Sequence, residues 1–501
     1  MKPPASLASP RLIGPNRDQL LLRSVDVEKL VGDDHPARAI WEFVGHMDLS
    51  GYEEKIKSVE GGAGRPAYAP RLLISIWIYA YSDGESSGRE IERLCGHDPA
   101  YQWLTGMEEI SHHTLSDFRV DHGKELDDLF TQVLGLLSAE DLVTLKRVTQ
   151  DGTKVKACAS SKTFRRESTI QEHLDTARAH VAAMGDPRVE IDGAKREKAR
   201  ARALRERQER LEKALEELPK IRARKRDEEA RRDARVSETD PEARVMKQSD
   251  GGYAPSYNVQ LNVDGEHVII VNASVSQAGT DNAELMGAMA KVEERTGKKP
   301  EQVLGDGGYT NHVNIMAMAA AGIDFIGSLK DTSTKVDTQY ARRGVEPEFR
   351  KEAFSYDAAS DLYICPAGKE LHHNGTYHHR PGITHHTYQT SRGTCAACIF
   401  RGKCYSGKNS RGRKIIRIAE EPAIVEFRKK METAEAKTIY KLRSQTAEFP
   451  NAWLKEKLGL RQFRTRGMRK TRQETLWACV TYNIQQWIRL IWRPQLAGSA
   501  G

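Results

Sequence analysis

An α/β fold with a separate helical N-terminal region is predicted by the way the hydrophobic period changes along the 501 residues. Three observations carry this. Apolar residues recur at helical spacing between residues 36 and 140, and strand-like runs begin at LVTLKRVTQ. A strand, helix, strand succession then spans KKPEQVLGD to IGSLK.

The first 35 residues are rich in proline and polar side chains and read as a flexible terminus. Helical periodicity starts near HPARAIWEFVGHM and continues through PRLLISIWIYAYSDG. A capping box at Ser87-Gly-Arg-Glu90 opens GREIERLCG, and Thr114-Leu-Ser-Asp117 is expected to open the helix LSDFRVDHGKELDDLFTQVLGLL. Short helices joined by glycine-containing turns suit a helix-turn-helix reader. A packing or dimerisation domain fits equally, because no helix here is markedly basic.

The period then changes. LVTLKRVTQ reads as a strand ending at Asp151, and YNVQLNV and HVIIVNASV as two more, joined at the hairpin signal Asp264-Gly265. Asp306 ends the first strand of the strand, helix, strand unit, whose helix is NIMAMAAAG and whose second strand is IDFIGSL. The carboxyl end of such a strand is where ligands collect in open sheets. Asp151-Gly152 and Asp306-Gly307 are also turn dipeptides, and that reading stays open at both. The core is assigned to 141–330 and 416–492, with a tail at 493–501.

Two insertions interrupt this core. Residues 165–248 are dense in both charges, and Leu204, Leu211, Leu215 and Leu218 fall at heptad-like spacing, so a helical hairpin or coiled coil broken at Pro219 is expected. It is read as a solvated helix with a packing seam, or as an arm toward a second protomer or DNA. Residues 331–415 form a β-rich insertion holding Cys365, Cys395, Cys398 and Cys404. The pattern supplies four soft ligands for a closed zinc site, with buried reduced thiols as the other reading. Histidines 372, 373, 378, 379, 385 and 386 are expected on the exposed faces of a hairpin turning at Asn374-Gly375.

Asp151, Asp306 and Glu448 are the acids that a fold could gather into a carboxylate cage, which suits hard divalent cations and phosphoryl chemistry. Glu448 lies in a helix-like stretch crowded with cations. From Lys455 onward Lys457, Arg461, Arg464, Arg466, Arg469, Lys470 and Arg472 stand against one acid, Glu456. A solvated face would interleave acids, so this run reads as a phosphate-binding footprint. The closing stretch TLWACVTYNIQQWIRLIW has helical spacing and is expected to pack on the sheet.

Composition sets limits. The chain is 39% hydrophobic, enough for a sizeable core, and its net charge of +8 is modest, so local clusters say more than the total. No 18-residue apolar run occurs and the N-terminus lacks a secretory signal core, which argues against a membrane protein and for a cytoplasmic, nucleoid-associated one. Seven cysteines in such a chain read as reduced thiols rather than a disulfide framework.

The chain resembles bacterial insertion-sequence DDE transposases, specifically the insertion-sequence 1182 family. The resemblance rests on SSGREIERL and HHTLSDFR, DGTKVKA around Asp151, DGGYTN around Asp306, the CPAG…CAAC…C insertion, and Tyr440-x2-Arg443 followed by a glutamate and a lysine. It implies an RNase H-like mixed-sheet catalytic core behind an all-helical N-terminal transposase domain. The activity implied is cleavage and strand transfer at the terminal inverted repeats of the element. The cofactor implied is a pair of Mg²⁺ ions, with Mn²⁺ as substitute, held by Asp151, Asp306 and Glu448. Tyr440, Arg443 and Lys455 become contacts to the DNA backbone, joined by Arg461, Arg464, Arg466, Arg469 and Lys470. The implied partners are double-stranded transposon-end and target DNA and a second copy of the chain in a synaptic complex. The family signature places three residues between arginine and glutamate, whereas four separate Arg443 from Glu448, and Pro450 is expected to disturb the helix. Glu456 and Glu474 are the fallback ligands. A transposase-derived DNA-binding protein without catalysis is the alternative function.

Overall fold

The computed structural model describes residues 24–59, 66–184, 195–328, 333–404 and 412–499. Most of the expected flexible terminus lies outside them. No described helix is long and apolar enough to cross a membrane.

The helical region comprises α1 (Pro36–Gly45), α2 (Pro70–Ser82), α3 (Gly88–Cys95), α4 (Pro99–Thr105), α5 (His112–Asp121) and α6 (Gly123–Ala139). Local signals start most of these helices. Proline occupies the first turn of α1, α2 and α4, and the Ser87 hydroxyl accepts the Glu90 amide at the start of α3. One start differs from expectation. The Ser111 hydroxyl caps α5, Thr114 lies inside that helix, and His122 leaves helical geometry (φ −110°, ψ 52°) to separate α5 from α6.

A six-stranded sheet follows, built from β1 (Arg147–Lys156), β2 (Arg244–Lys247), β3 (Tyr253–Asp264), β4 (Ile269–Ser276), β5 (Gln302–Gly305) and β6 (Asp324–Gly327). The order runs β3-β1-β5-β6, with β2 and β4 both paired to the outer side of β3. The β1/β3, β2/β3 and β3/β4 pairs are antiparallel, whereas β1/β5 and β5/β6 are parallel. The β3/β4 hairpin falls where Asp264-Gly265 placed it. Helices α9 (Leu285–Thr296) and α10 (His312–Ala320) make the parallel crossovers.

Strand β3 alternates strictly: Tyr257, Val259, Leu261 and Val263 belong to the apolar core, and Asn258, Gln260, Asn262 and Asp264 to the other face. Both sets are buried. Buried amides cost stability unless bonded. Here Gln150 donates to Gln260 at 2.7 Å, Asn272 donates to Asn262 at 2.9 Å, and Asn262 donates to Gln150.

The first insertion forms α7 (Glu167–Ala182) and α8 (Lys195–Ala223), which pack as an antiparallel pair. Leu211 and Leu218 are buried against Ile170 and Leu174, and Leu215 is partly buried. Pro219 does not break α8. It removes one backbone donor, but Leu218 and Ile221 on either side stay in the seam, and Glu217 pairs with Arg244 and Lys220.

The second insertion carries a five-stranded antiparallel sheet of β7 (Ser355–Asp357), β8 (Leu362–Ile364), β9 (Glu370–Arg380), β10 (Ile383–Gln389) and β11 (Lys414–Glu420). The hairpin turns at Pro381-Gly382 rather than Asn374-Gly375. Gly382 takes the left-handed conformation (φ +74°), and Asn374-Gly375 becomes a register shift inside β9. His372, His373 and His378 are exposed and His385 and His386 half-buried; the side chain of His379 lies outside the described residues.

The chain closes with α11 (Pro422–Glu432), α12 (Ala434–Glu456) and α13 (Met468–Trp487). Helix α13 packs on β4 and also on α2 and α6. Trp477 stacks near Trp77 and Phe118, with ring centroids 6.5 and 6.4 Å away, and donates to the Arg119 carbonyl. The N-terminal helices and the sheet therefore share one apolar core, running from Val31 to Trp492.

Candidate active site

Asp151 sits midway along β1 rather than at its end. Its two neighbouring strands differ in length: β3 pairs with β1 as far as Lys156, whereas β5 stops at Gly305, opposite Gln150. Asp151 is thus the first residue of β1 beyond the parallel pairing, and Asp306 the first beyond β5. The two aspartates leave adjacent strands at the same level of the sheet. The chain after Asp306 turns at once: its Oδ1 accepts the Gly308 amide at 2.6 Å and its carbonyl accepts the Tyr309 and Thr310 amides. A side chain at 308 would bring its Cβ within 2.8 Å of that carboxylate, which is why glycine stands there.

Helix α12 lies over this point, presenting residues three and four apart. Arg443 Nη1 stands 3.5 Å from Asp151 Oδ1, and Asn451 Nδ2 donates to Asp151 Oδ2 at 2.7 Å. One turn away the Thr446 and Thr149 hydroxyls meet at 2.6 Å, and Lys455 donates to Thr153. Pro450 does not disturb α12, which runs unbroken through it. Ala447, Pro450 and Leu454 form its buried stripe, and burial of that stripe holds the helix.

Glu448 is exposed on α12 and makes no hydrogen bond or ion pair to either aspartate among the described residues. Among those residues, no three His, Cys, Asp or Glu side chains make a set that could hold a metal ion as placed. Of the fallback acids, Glu456 pairs with Arg461. Glu474 accepts the Arg464 and Thr465 amides at 2.9 and 3.0 Å and the Thr465 hydroxyl at 2.8 Å, so it fastens the turn before α13.

An acid that sequence reasoning missed is Asp281, in the loop after β4. Its Oδ1 accepts Asn258 and Gln260 at 2.7 Å each and Lys154 at 3.2 Å. Gly152 leaves room for it: a Cβ there would come within 2.6 Å of Asp281 Oδ1 and 3.0 Å of the Tyr309 hydroxyl. Burial pushes the Asp151 carboxyl up to about 6; Arg443 pulls it back, and Asp306 and Asp281 push it further up. Lys455, half-buried, is lowered by burial and by Arg461, against the pull of Asp151.

The remaining cations divide in two. Tyr440 packs on Leu304 and Ile326, and Arg443 and Lys455 face inward as described. Arg461, Arg464 and Arg466 are exposed between α12 and α13, and Arg469 and Lys470 are exposed in the first turn of α13. Arg466 and Arg469 are steadied by bonds to the carbonyls of Cys158 and Val120, the latter at 2.6 Å. A cavity of about 330 Å³ between Tyr52, Tyr68, Leu73 and Phe118 holds none of the candidate site residues.

Residues 25–121 match a family described as a transposase domain, and residues 364–488 match a family described as a transposase DDE domain. Both stretches resemble transposase domains. The second contains the four clustered cysteines, Glu448 and Lys455, and neither aspartate. No curated protein matches the chain. A piggyBac transposase synaptic complex with hairpin DNA superposes over 92% of this chain and 73% of that one at 8% identity, but its TM-score of 0.28 is too low to bear on the fold.

Proposed function

We propose that the protein is a DDE transposase that cleaves DNA and joins strands at the terminal inverted repeats of an insertion sequence. The observation that carries this is the pair Asp151 and Asp306, side by side where the parallel strands part, in a chain whose two ends match transposase families. The order β4-β3-β1, antiparallel, followed by β5 and β6 parallel to β1, supports an RNase H-like reading of the core, with β2 as an added edge strand. The exposed arginines after α12 supply a surface for a phosphate backbone.

The donor set fits hard divalent cations. Asp306 raises the proton affinity of the neighbouring Asp151 carboxyl, a repulsion that a divalent ion would relieve, and oxygen ligands suit Mg²⁺. Asp151 and Asp306 would hold it, with Glu448 as the third ligand after a change of its side-chain position. When bound, a Mg²⁺ pair supplies Lewis-acid stabilisation to the attacking and leaving oxygens of a phosphodiester. Asn451 and Arg443 orient the Asp151 carboxylate, and Lys455 sets positive charge beside it, where a scissile phosphate would lie. The non-catalytic DNA-binding reading is favoured by one observation: Asp151 is already engaged by Arg443 and Asn451.

The two readings part in one experiment. The full chain is incubated with DNA carrying the sequences that flank its own gene, with Mg²⁺, with Mn²⁺ and with neither. Metal-dependent cleavage that Asp306→Asn abolishes, with end binding retained, is the expected result. Unchanged cleavage by Asp306→Asn removes that residue from the site, and binding without cleavage by the unaltered chain supports the non-catalytic reading.

A further inference from the structure

The small sheet of the second insertion has little to hold it together. Its central cluster is Phe354, Tyr363, Leu371, Tyr388 and Ile415, with Leu362 and Ile383 also buried on its strands, and the side chains packed beside this cluster include Cys365 and Cys404. A core of that size rarely sustains a fold without a staple. All four cysteines of the insertion are free thiols, so no disulfide supplies one.

Two loops at one end of the sheet bring the thiols together. Cys365-Pro-Ala-Gly-Lys369 forms a tight turn after β8: the Gly368 amide donates to the Cys365 carbonyl at 2.8 Å, with Gly368 in the left-handed conformation, and the Cys365 amide donates to the Lys369 carbonyl at 2.9 Å. The turn aims the Lys369 amide at Cys365 Sγ, 3.3 Å away. Across from it, Cys395 Sγ accepts the Arg413 amide at 3.2 Å and lies 3.0 Å from the Thr390 hydroxyl. Fixed backbone donors aimed at two of these sulfurs hold them in place, and N–H donors of this kind complement the charge of a metal-bound sulfur. Cys365, Cys395, Cys398 and Cys404 line a single cavity of about 30 Å³. That is room for one ion or one water and excludes an organic ligand.

We propose that these four thiols bind one zinc ion that closes the insertion. Four sulfur ligands around a single small cavity suit a tetrahedral, redox-inert cation, and three cysteines on one loop, two of them a C-x2-C pair, facing the fourth on another loop make a closed structural site. Binding releases the four thiol protons and leaves a net charge of −2, beside Arg413. The thiols as placed do not make a finished ligand set, so ion capture draws them in from the cavity wall to about 2.3 Å from the metal. The ion ties β8 to the stretch between β10 and β11. Neither aspartate takes part, so the site stands or falls independently of cleavage.

The test uses the full chain, purified under reducing conditions without chelators, with zinc and iron measured together. The expected result is about one zinc per chain, released by a thiol-specific mercurial and lost in Cys395→Ser and Cys398→Ser but kept in Cys158→Ser. Because the serine variants can fail to fold, the unaltered chain is also stripped and reloaded with Co²⁺, which is expected to show thiolate charge-transfer bands and tetrahedral d–d bands. A folded chain that contains no zinc and gives no such Co²⁺ spectrum overturns the proposal. So does stoichiometric iron, or zinc that survives in a folded Cys395→Ser variant.

Discussion

Asp151→Asn should make the metal-free protein more stable at alkaline pH and leave it unchanged in acid. In the folded chain the Asp151 carboxyl holds its proton up to about pH 6, against an ordinary value of 3.8. Between those two values the folded state binds more protons than the unfolded one, so stability falls as pH rises through that window and stays low above it. A displacement of about two pH units corresponds to about 3 kcal/mol. Asparagine cannot ionise and so avoids that cost, while its carboxamide oxygen can still accept from Asn451. The assay is urea unfolding in a chelator at pH 8 and again at pH 4, following the tryptophans of the shared core. The variant should exceed the unaltered chain by up to about 3 kcal/mol at pH 8 and match it at pH 4. Adding Mg²⁺ should stabilise only the unaltered chain and narrow the gap, since an ion bound to the folded state alone adds stability in proportion to its saturation. An asparagine variant that is less stable at pH 8, or a gap that does not change with pH, would refute the account of a buried carboxyl raised by its neighbours.

Two further outcomes follow from the same geometry. Arg443→Gln removes the charge that lowers Asp151, so the acid limb of a metal-dependent cleavage profile should move up by about one pH unit; a single-turnover pH series with no movement, or a downward one, contradicts that role. Glu474→Gln weakens the charged acceptor for the Arg464 and Thr465 amides and should cost about 1.5–3 kcal/mol in urea unfolding with no change in Mg²⁺ affinity; unaltered stability with lost Mg²⁺ binding would make Glu474 a ligand instead of a fastener.

The β3/β4 hairpin, the unit around Asp306 and the charged helical pair are legible in the sequence because each is decided by its own period and turn residues. Asp151 was harder to place. A strand end read from one chain segment ignores its partners, and β1 continues to Lys156 because β3 pairs with it beyond the point where β5 stops. The same reliance on local rules put helix disturbances at Pro219 and Pro450, where buried residues on both sides accompany helices that run on unbroken. On α12 a linear signature singled out Glu448, but the residues that touch Asp151 are Arg443 and Asn451, and Glu448, turned about 60° from Asn451, is exposed at the edge of that face. Asp281 offered no signal at all. It lies in a loop, and what holds it is a pair of amides from β3 whose inward direction depends on the whole sheet.

The burial of Trp77 and Phe118 against Trp477 has a consequence for how the chain is made. Arg119 and the indole that bonds to it are 358 positions apart. At translation rates of about 5–20 residues per second, the early helices leave the ribosome roughly 20–70 s before their cover exists. During that interval an aromatic face is open to chaperones, and to the closing helix of a neighbouring nascent copy, so exchange of that helix between two chains is a natural misassembly route. Expression of the first 140 residues alone would leave the same face bare permanently, and aggregation is the expected fate of such a fragment.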